Sequence, residues 1–312
     1  MTWKRSGEGV GEGERAIEAV LAEVPAWTGR AVRYRPVAGG LSNSNWRVSI
    51  DGDRDYFVKL PGRGTEMFIA RHAAHEASRR AETCGFGVEV VGFLPERGVE
   101  IFAFVDGFRA STNLDFLRGS VRRNAAAALK AFNDSASLSL TKTIFDQIEE
   151  HVAQVAAVGG RVPADHAFLM RRFADAKSAF LAAGLDLVPC MNDTLAGNFM
   201  LDANDRVVLV DFEYAANNER SYEMALWFDE MGFELDVERE MIETYWGRVD
   251  PMLEARIAVM KALADLKWAT WAMIQEAVSA LDFDYYKYGT WKHRRARTLF
   301  HHPDWHGWLT RL

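Results

Sequence analysis

The chain has 312 residues, 49% hydrophobic and 26% charged, the make-up of a soluble globular protein long enough for two domains or one large one. A formal net charge of −7 argues against a nucleic-acid or membrane-surface role, and no apolar run is long enough to span a bilayer. Cys84 and Cys190 stand far apart without CxxC spacing, which indicates neither a zinc site nor a disulfide framework. With a charged, Gly-rich start and no secretory signal, the expectation is a cytoplasmic monomer or homodimer without stable membrane insertion.

Residues 1–13 hold little apolar material and are expected as a tail. Glu14–Val24 places Ile17, Val20, Leu21 and Val24 on one helical face and ends at Pro25. A β-rich stretch follows, with strands at Ala31–Pro36, Trp46–Ile50 and Tyr56–Leu60. The turn Val37–Asn45 contains Gly39, Gly40, Ser42, Asn43, Ser44 and Asn45, whose amides and hydroxyls suit phosphate oxygens. It is no Walker A loop, because GxxxxGK[ST] is absent and a strand follows; a plain hairpin explains it equally. Lys59 alternates with apolar neighbours on the last strand. Glu66–Thr83 has helical character and carries His72, His75 and Glu76, without a metal-ligand signature. Gly87–Leu94 and Val99–Val105 read as strands, and Asp106-Gly107 marks a joint.

Beyond the joint the pattern turns helical: Asn113–Leu117, Val121–Asn133, Thr143–Val158, Pro163–Ala183, Glu223–Met231, Asp236–Trp246 and Pro251–Leu281. Embedded among them is Pro189–Tyr214, with apolar runs Phe199–Leu201 and Val207–Val210 joined by an Asp/Asn turn. If those runs pair, Asn198 and Asp211 meet at one end with Asp193 in the adjoining loop. An acid able to take a proton, with an Asn and an Asp able to hold a hard cation, is what phosphoryl transfer needs. A surface turn with scattered acids accounts for the same composition. The fold class is therefore α+β and two-lobed: residues 14–105 form a β-rich N-terminal lobe, and 106–312 a mostly helical C-terminal one. Arg294, Arg295 and Arg297 read as a solvated helix face, and the segment with His301, His302 and His306 as packing.

The ordered series of Gly-rich turn, strand lysine, helix glutamate, Asn192-Asp193-Thr-Leu-Ala-Gly197-Asn198 and Val210-Asp211-Phe212-Glu213-Tyr214 resembles the choline/ethanolamine kinase family. That family lies within the aminoglycoside phosphotransferase and protein-kinase-like superfamily. The likeness runs from Val37 to Tyr288 and implies a two-lobed protein-kinase-like fold and a kinase using ATP and Mg²⁺. It implies Asp193 as the catalytic acid-base group, and Asn198 and Asp211 as metal ligands. An ATP site would be made by Gly40, Ser42, Asn43, Ser44, Asn45, Lys59 with Glu76 as its ion-pair partner, and Phe104 on the adenine segment Phe102–Val105. One departure is plain: Met191 stands where the family has a His that bonds to backbone near the metal motif.

For the acceptor, the resemblance implies choline or a related amino alcohol, held by Glu213, Tyr214, Glu230, Trp268, Trp271 and Tyr288. A quaternary ammonium donates no hydrogen bond and is best held by aromatic faces with a carboxylate nearby, and Trp268 and Trp271 share a helical face. Leu235 stands where the family has another ring, and Phe233 is the nearest substitute. Ethanolamine, thiamine or an aminoglycoside are alternative acceptors, although a polycationic aminoglycoside calls for acids rather than rings. A catalytically weak ATP- or amine-binding relative is the alternative that Met191 motivates.

Overall fold

The structure, a computed structural model, describes residues 2–39, 43–62, 65–279 and 281–312. In chain order the first elements are β1 (Lys4–Arg5), α1 (Glu12–Ala22), β2 (Val32–Val37), β3 (Asn43–Ile50), β4 (Asp55–Pro61), α2 (Arg71–Thr83), β5 (Val90–Leu94) and β6 (Val99–Ala103). The strands form one antiparallel sheet in the order β1-β2-β3-β4-β6-β5. Period-two alternation sorts its two faces. Trp46, Val48, Ile50, Tyr56, Val58 and Leu60 turn to one side, where Ile17, Val20 and Leu21 of α1 complete a core. The opposite side presents Asn43, Asn45, Phe57, Lys59, Glu100 and Phe102 to the space between the lobes. The register Lys59↔Glu100 and Phe57↔Phe102 fixes that polar face.

Three of the boundaries that differ from the sequence reading bear on how this lobe begins and meets the other. Part of the expected tail is structured: Lys4 and Arg5 pair with Tyr34 and Arg33, and α1 starts at Glu12. Strand β3 begins at Asn43 rather than Trp46, because Asn43–Asn45 find ladder partners in Pro61, Leu60 and Lys59. The helical stretch expected from Glu66 opens as a short 3₁₀ turn over Thr65–Met67, and α2 proper starts at Arg71.

The helical lobe holds β7 (Arg109–Ala110), α3 (Gly119–Asn133), α4 (Ile144–Ala157), α5 (His166–Ala183), β8 (Leu187–Cys190), β9 (Phe199–Leu201), β10 (Val207–Leu209), β11 (Ala216–Glu219), α6 (Arg220–Met231), α7 (Leu235–Trp246), α8 (Pro251–Val278), α9 (Tyr285–Phe300) and α10 (Trp305–Leu309). The expected hairpin forms, with Leu201↔Val207 and Phe199↔Leu209. Helix α8 runs through the centre and is buried almost all round. The three arginines expected on a solvated face are only partly so. Arg295 makes two bonds to Asp265 at 2.6 and 2.8 Å, and Arg297 two to Asp165 at 2.6 Å. Among the described residues, no helix is long and apolar enough to cross a membrane.

The lobes meet through α2, whose small face carries Ala77 and Ala81 into the core of the helical lobe. At its end Gly87 donates its amide to Ala81 O at 2.8 Å, and Leu209 donates to Phe86 O at 2.7 Å. A Cβ on Gly87 would stand 2.4 Å from the Glu82 amide nitrogen, so only glycine fits there. Gly87→Ala is therefore expected to lower stability by roughly 2 kcal/mol or more, read as a fall in the urea midpoint at unchanged m-value; an unchanged midpoint contradicts this packing account.

Candidate active site

One cavity of about 890 Å³ lies between the lobes, and its lining joins the polar face of the sheet to the hairpin and the aromatic helices. Asp193, Asn198, Asp211, Glu213, Tyr214, Trp268, Trp271 and Tyr288 all border it, as do Asn43, Asn45, Lys59 and Phe104. Gly40 and Ser42 lie outside the described residues.

The loop bearing Asp193 is held from behind. Strand β8 pairs with β11, and the chain then turns through Asn192 at φ 61°. The buried carboxylate of Glu223 on α6 accepts from the amides of Met191 and Asn192 at 2.7 and 3.0 Å. Asn192 Nδ2 donates to the Tyr214 carbonyl at 2.8 Å, while its Oδ1 accepts from Asn218 Nδ2 at 2.9 Å. Asn192 thus bonds to the backbone beside the Asp211 motif. Met191, which replaces the family's histidine, fills core volume and is fully buried. Glu223 and Asn192 were not singled out from the sequence. Their signal is the carboxylate and amide flanking an otherwise apolar helix and loop, which is too common to read unaided.

Pairing across the hairpin base delivers the rest. Val210 donates to Asn198 O at 3.0 Å, and Asn198 Nδ2 to Asp193 O at 2.8 Å. Asp211 adopts φ 68°, a left-handed conformation that costs a non-glycine residue energy and marks a constrained position. Lys59 Nζ reaches it at 2.5 Å and lies 3.3 Å from Glu213. Glu213 also accepts from Arg71 at 2.7 Å and Asn43 Nδ2 at 2.9 Å.

Charges respond to this enclosure. Burial works against the Lys59 ammonium, but Asp211 and Glu213 outweigh it and hold the lysine protonated. Burial, with the Asp211 charge beside it, pushes the Asp193 carboxyl up to about 8. Burial raises Glu223 to about 7 against the two amides that favour its ionised form.

Several expected members stand elsewhere. Glu76 does not pair with Lys59: its carboxylate accepts from Ser139 N at 3.0 and 3.1 Å and from Ser139 Oγ, tying α2 to the helical lobe. The acid opposite Lys59 in the sheet is Glu100. Ser44 Oγ accepts from Trp46 Nε1 at 3.1 Å, and Asn45 Nδ2 donates to Gly39 O at 3.0 Å. The amides of Ala103 and Phe104 are engaged by Glu89 O and Asp55 O, and Arg47 stacks 3.8 Å from the Phe104 ring centroid. Glu230 is not among the cavity-lining residues; it is ion-paired to Lys292. Phe233 packs on Phe116, Trp227 and Phe228 and so does not replace the missing ring. Phe283, not assigned to the acceptor set from the sequence, lines the cavity near Tyr288.

The two lobes, with a strand lysine facing the acid just beyond the hairpin, have the architecture of a protein-kinase-like phosphotransferase. The model of the family described as choline/ethanolamine kinase matches residues 34–250. The chain belongs to that family. It is 24% identical over 302 residues to the probable ethanolamine kinase of Arabidopsis thaliana, covering 81% of this chain and 75% of that one. Its fold is similar to a choline/ethanolamine kinase family protein from Mesorhizobium loti, with TM-score 0.81, 25% identity, and 96% and 98% of the two chains covered. It is also similar in fold to choline kinase LicA from Streptococcus pneumoniae, with TM-score 0.77, 20% identity, and coverages of 93% and 99%.

Glu223 gives a pH test. With its carboxyl at about 7 in the folded chain and near 4.5 unfolded, the unfolded state loses its proton first. Its contribution is full below about pH 4.5 and falls as pH rises towards 7. Wild-type stability is expected to drop relative to Glu223→Gln across that window by about 3 kcal/mol, measured as parallel urea titrations at both ends. A constant difference between the two proteins contradicts the assignment.

Proposed function

We propose that the protein transfers the γ-phosphoryl group of ATP, with Mg²⁺, to the hydroxyl of a small amino alcohol of the choline or ethanolamine kind. The observation that supports it best is the convergence of Asp193, Asn198, Asp211 and Lys59 on the same cavity as Tyr214, Trp268, Trp271 and Tyr288. The first group suits a nucleotide phosphate chain, and the second suits a compact organic alcohol.

Asp193 is the base. In its ionised form, whose share grows as pH rises towards about 8, it takes the hydroxyl proton as the alcohol oxygen bonds to the γ-phosphorus and the bond to the β,γ-bridging oxygen breaks, releasing ADP. Lys59, already at the cleft floor, meets phosphate oxygens. Asn198 and Asp211 offer hard oxygen donors suited to Mg²⁺. Among the described residues there is no cluster of three or more His, Cys, Asp or Glu able to hold a metal. A two-residue donor set fits an ion that keeps waters and takes phosphate oxygens as its other ligands. Bound there, Mg²⁺ supplies neutralisation of the phosphate charge as it shifts toward the leaving group. The aromatic side orients the alcohol, and positioning is the larger part of such catalysis.

Against the weak-relative alternative that Met191 motivates stands the bond from Asn192 to the Tyr214 carbonyl, which tethers the backbone behind the proposed metal motif. The expected outcome is ATP-dependent phosphorylation of at least one member of a panel of ethanolamine, its N-methylated forms and choline, abolished by EDTA and restored by Mg²⁺. Asp193→Ala is expected to reduce kcat by about three orders of magnitude or more while preserving ATP binding. Turnover in that variant equal to wild type sinks the base assignment.

A further inference from the structure

Lys267 lies midway along α8, directly before Trp268, with a side chain sealed from solvent. Its Nζ stands 3.2 Å from the centroid of the Trp268 ring and 4.8 Å from that of Tyr214. It has no hydrogen-bond partner among the described residues. Both rings line the cavity and Lys267 does not, so the ammonium backs the aromatic wall. Lys292 similarly stands 5.6 Å from the centroid of the Tyr288 ring. Of the four expected acceptor rings, Trp271 alone has no lysine or arginine set against its face among the described residues.

The carboxylates beside this wall other than Asp193 are engaged as well. Glu230 is bound by Lys292, Asp265 by Arg295 at 2.6 Å and Lys292 at 3.4 Å, and Glu213 by Arg71 and Lys59. Among the described residues Lys267 therefore has no bonded counter-charge, and the carboxylate that most favours its ammonium is Asp193; it is placed where the family resemblance leads one to expect an acceptor's cation to meet the rings. Burial pulls its pKa down to about 7, so mildly acidic solution keeps it charged.

We propose that Lys267 is a specificity-determining residue: its ammonium, held against Trp268 and Tyr214, excludes a quaternary ammonium from the aromatic side of the cavity and selects alcohols whose far end carries no fixed positive charge. The proposal rests on the cavity being the acceptor site. A π face attracts a cation through its quadrupole, and a charge already on that wall opposes a second one. At roughly 9 Å in a medium of protein-like polarity, such repulsion changes a binding constant by about ten- to thirtyfold. An ethanolamine-type nitrogen can give up its proton on entry; a trimethylammonium cannot. A lysine packed only as a spacer would discriminate by size and not by charge.

The test compares choline with 3,3-dimethyl-1-butanol, which has carbon in place of the charged nitrogen and the same shape. The quantity read is the ratio of kcat/KM for the two alcohols at about pH 6. It cancels changes in the phosphoryl-transfer step and in the fraction of folded protein. Lys267→Met is expected to raise that ratio about tenfold or more in favour of choline, and Lys267→Arg to leave it near the wild-type value. If Lys267→Met does not fold, Lys267→Gln takes its place. An unchanged ratio in the neutral variant, or an equal rise in Lys267→Arg, overturns the proposal while leaving the kinase reading intact. If wild type phosphorylates neither alcohol, those two acceptors fail, and the wall is judged by tetramethylammonium quenching of tryptophan fluorescence. Binding at least about tenfold tighter in Lys267→Met then upholds charge exclusion; equal or absent binding in both proteins overturns it.

Discussion

The ion cluster of Lys59 with Asp211 and Glu213 is the constraint on which the arrangement turns. Lys59 is anchored in the middle of a six-stranded sheet, and the two carboxylates sit just beyond the hairpin of the other lobe. A buried ammonium without partners is heavily penalised, and so is a buried carboxylate. Each lobe thus carries a charge that the other neutralises, and removing one member leaves its partner in the cleft without a counter-charge. Arg71 and Asn43 extend the cluster, so the first strand after the Gly-rich turn and the start of α2 are drawn to the same point. Phosphate oxygens entering the cleft meet positive charge that is already positioned, which avoids reorganisation during the reaction.

Behind that cluster a second layer is built almost entirely from amides and buried carboxylates. Glu223 takes two loop amides, Asn192 and Asn218 pass bonds from β11 to the Tyr214 carbonyl, and Asn218 Oδ1 receives the Ile144 amide that opens α4. Groups this deep remain only when satisfied. Asn192 and Asp211 are both left-handed, and the surrounding bonds maintain that strain. A loop held by several such bonds tolerates the loss of one supporting side chain. Met191 contributes packing from the core, and Asn192 beside it tethers the backbone behind the motif.

What was legible in the sequence was whatever depends on local period or strong turn chemistry. The hairpin Phe199–Leu209 is short, apolar on both runs and split by Asp202–Arg206, so its pairing followed from the residues alone. The alternation around Lys59 was legible too, but not what its ammonium faces: Asp211 and Glu213 of the other lobe. Glu76 was misread because a helix carboxylate has several faces to choose from, and only tertiary packing turns it onto Ser139. Arg295 and Arg297 were read as solvated since their partners, Asp265 and Asp165, lie 30 and 132 residues away. Lys267 escaped notice for the opposite reason: in a helix as apolar as α8, one lysine looks like a residue that reaches for the surface.

That misreading bears on acceptor choice. A lysine in the centre of a buried helix normally extends its stem toward water or finds a carboxylate. Lys267 does neither and rests on two of the rings that resemblance assigns to a cation. In the proposed reaction Asp193, Asn198, Asp211 and Lys59 serve the phosphate half of the cleft. The aromatic half answers to the alcohol, but the Lys267 charge also acts on Asp193, so a neutral side chain there alters the base for every alcohol alike and shows selectivity only in a ratio between alcohols. With the rings in place, a positive charge behind the wall favours a neutral or titratable acceptor over a permanent cation.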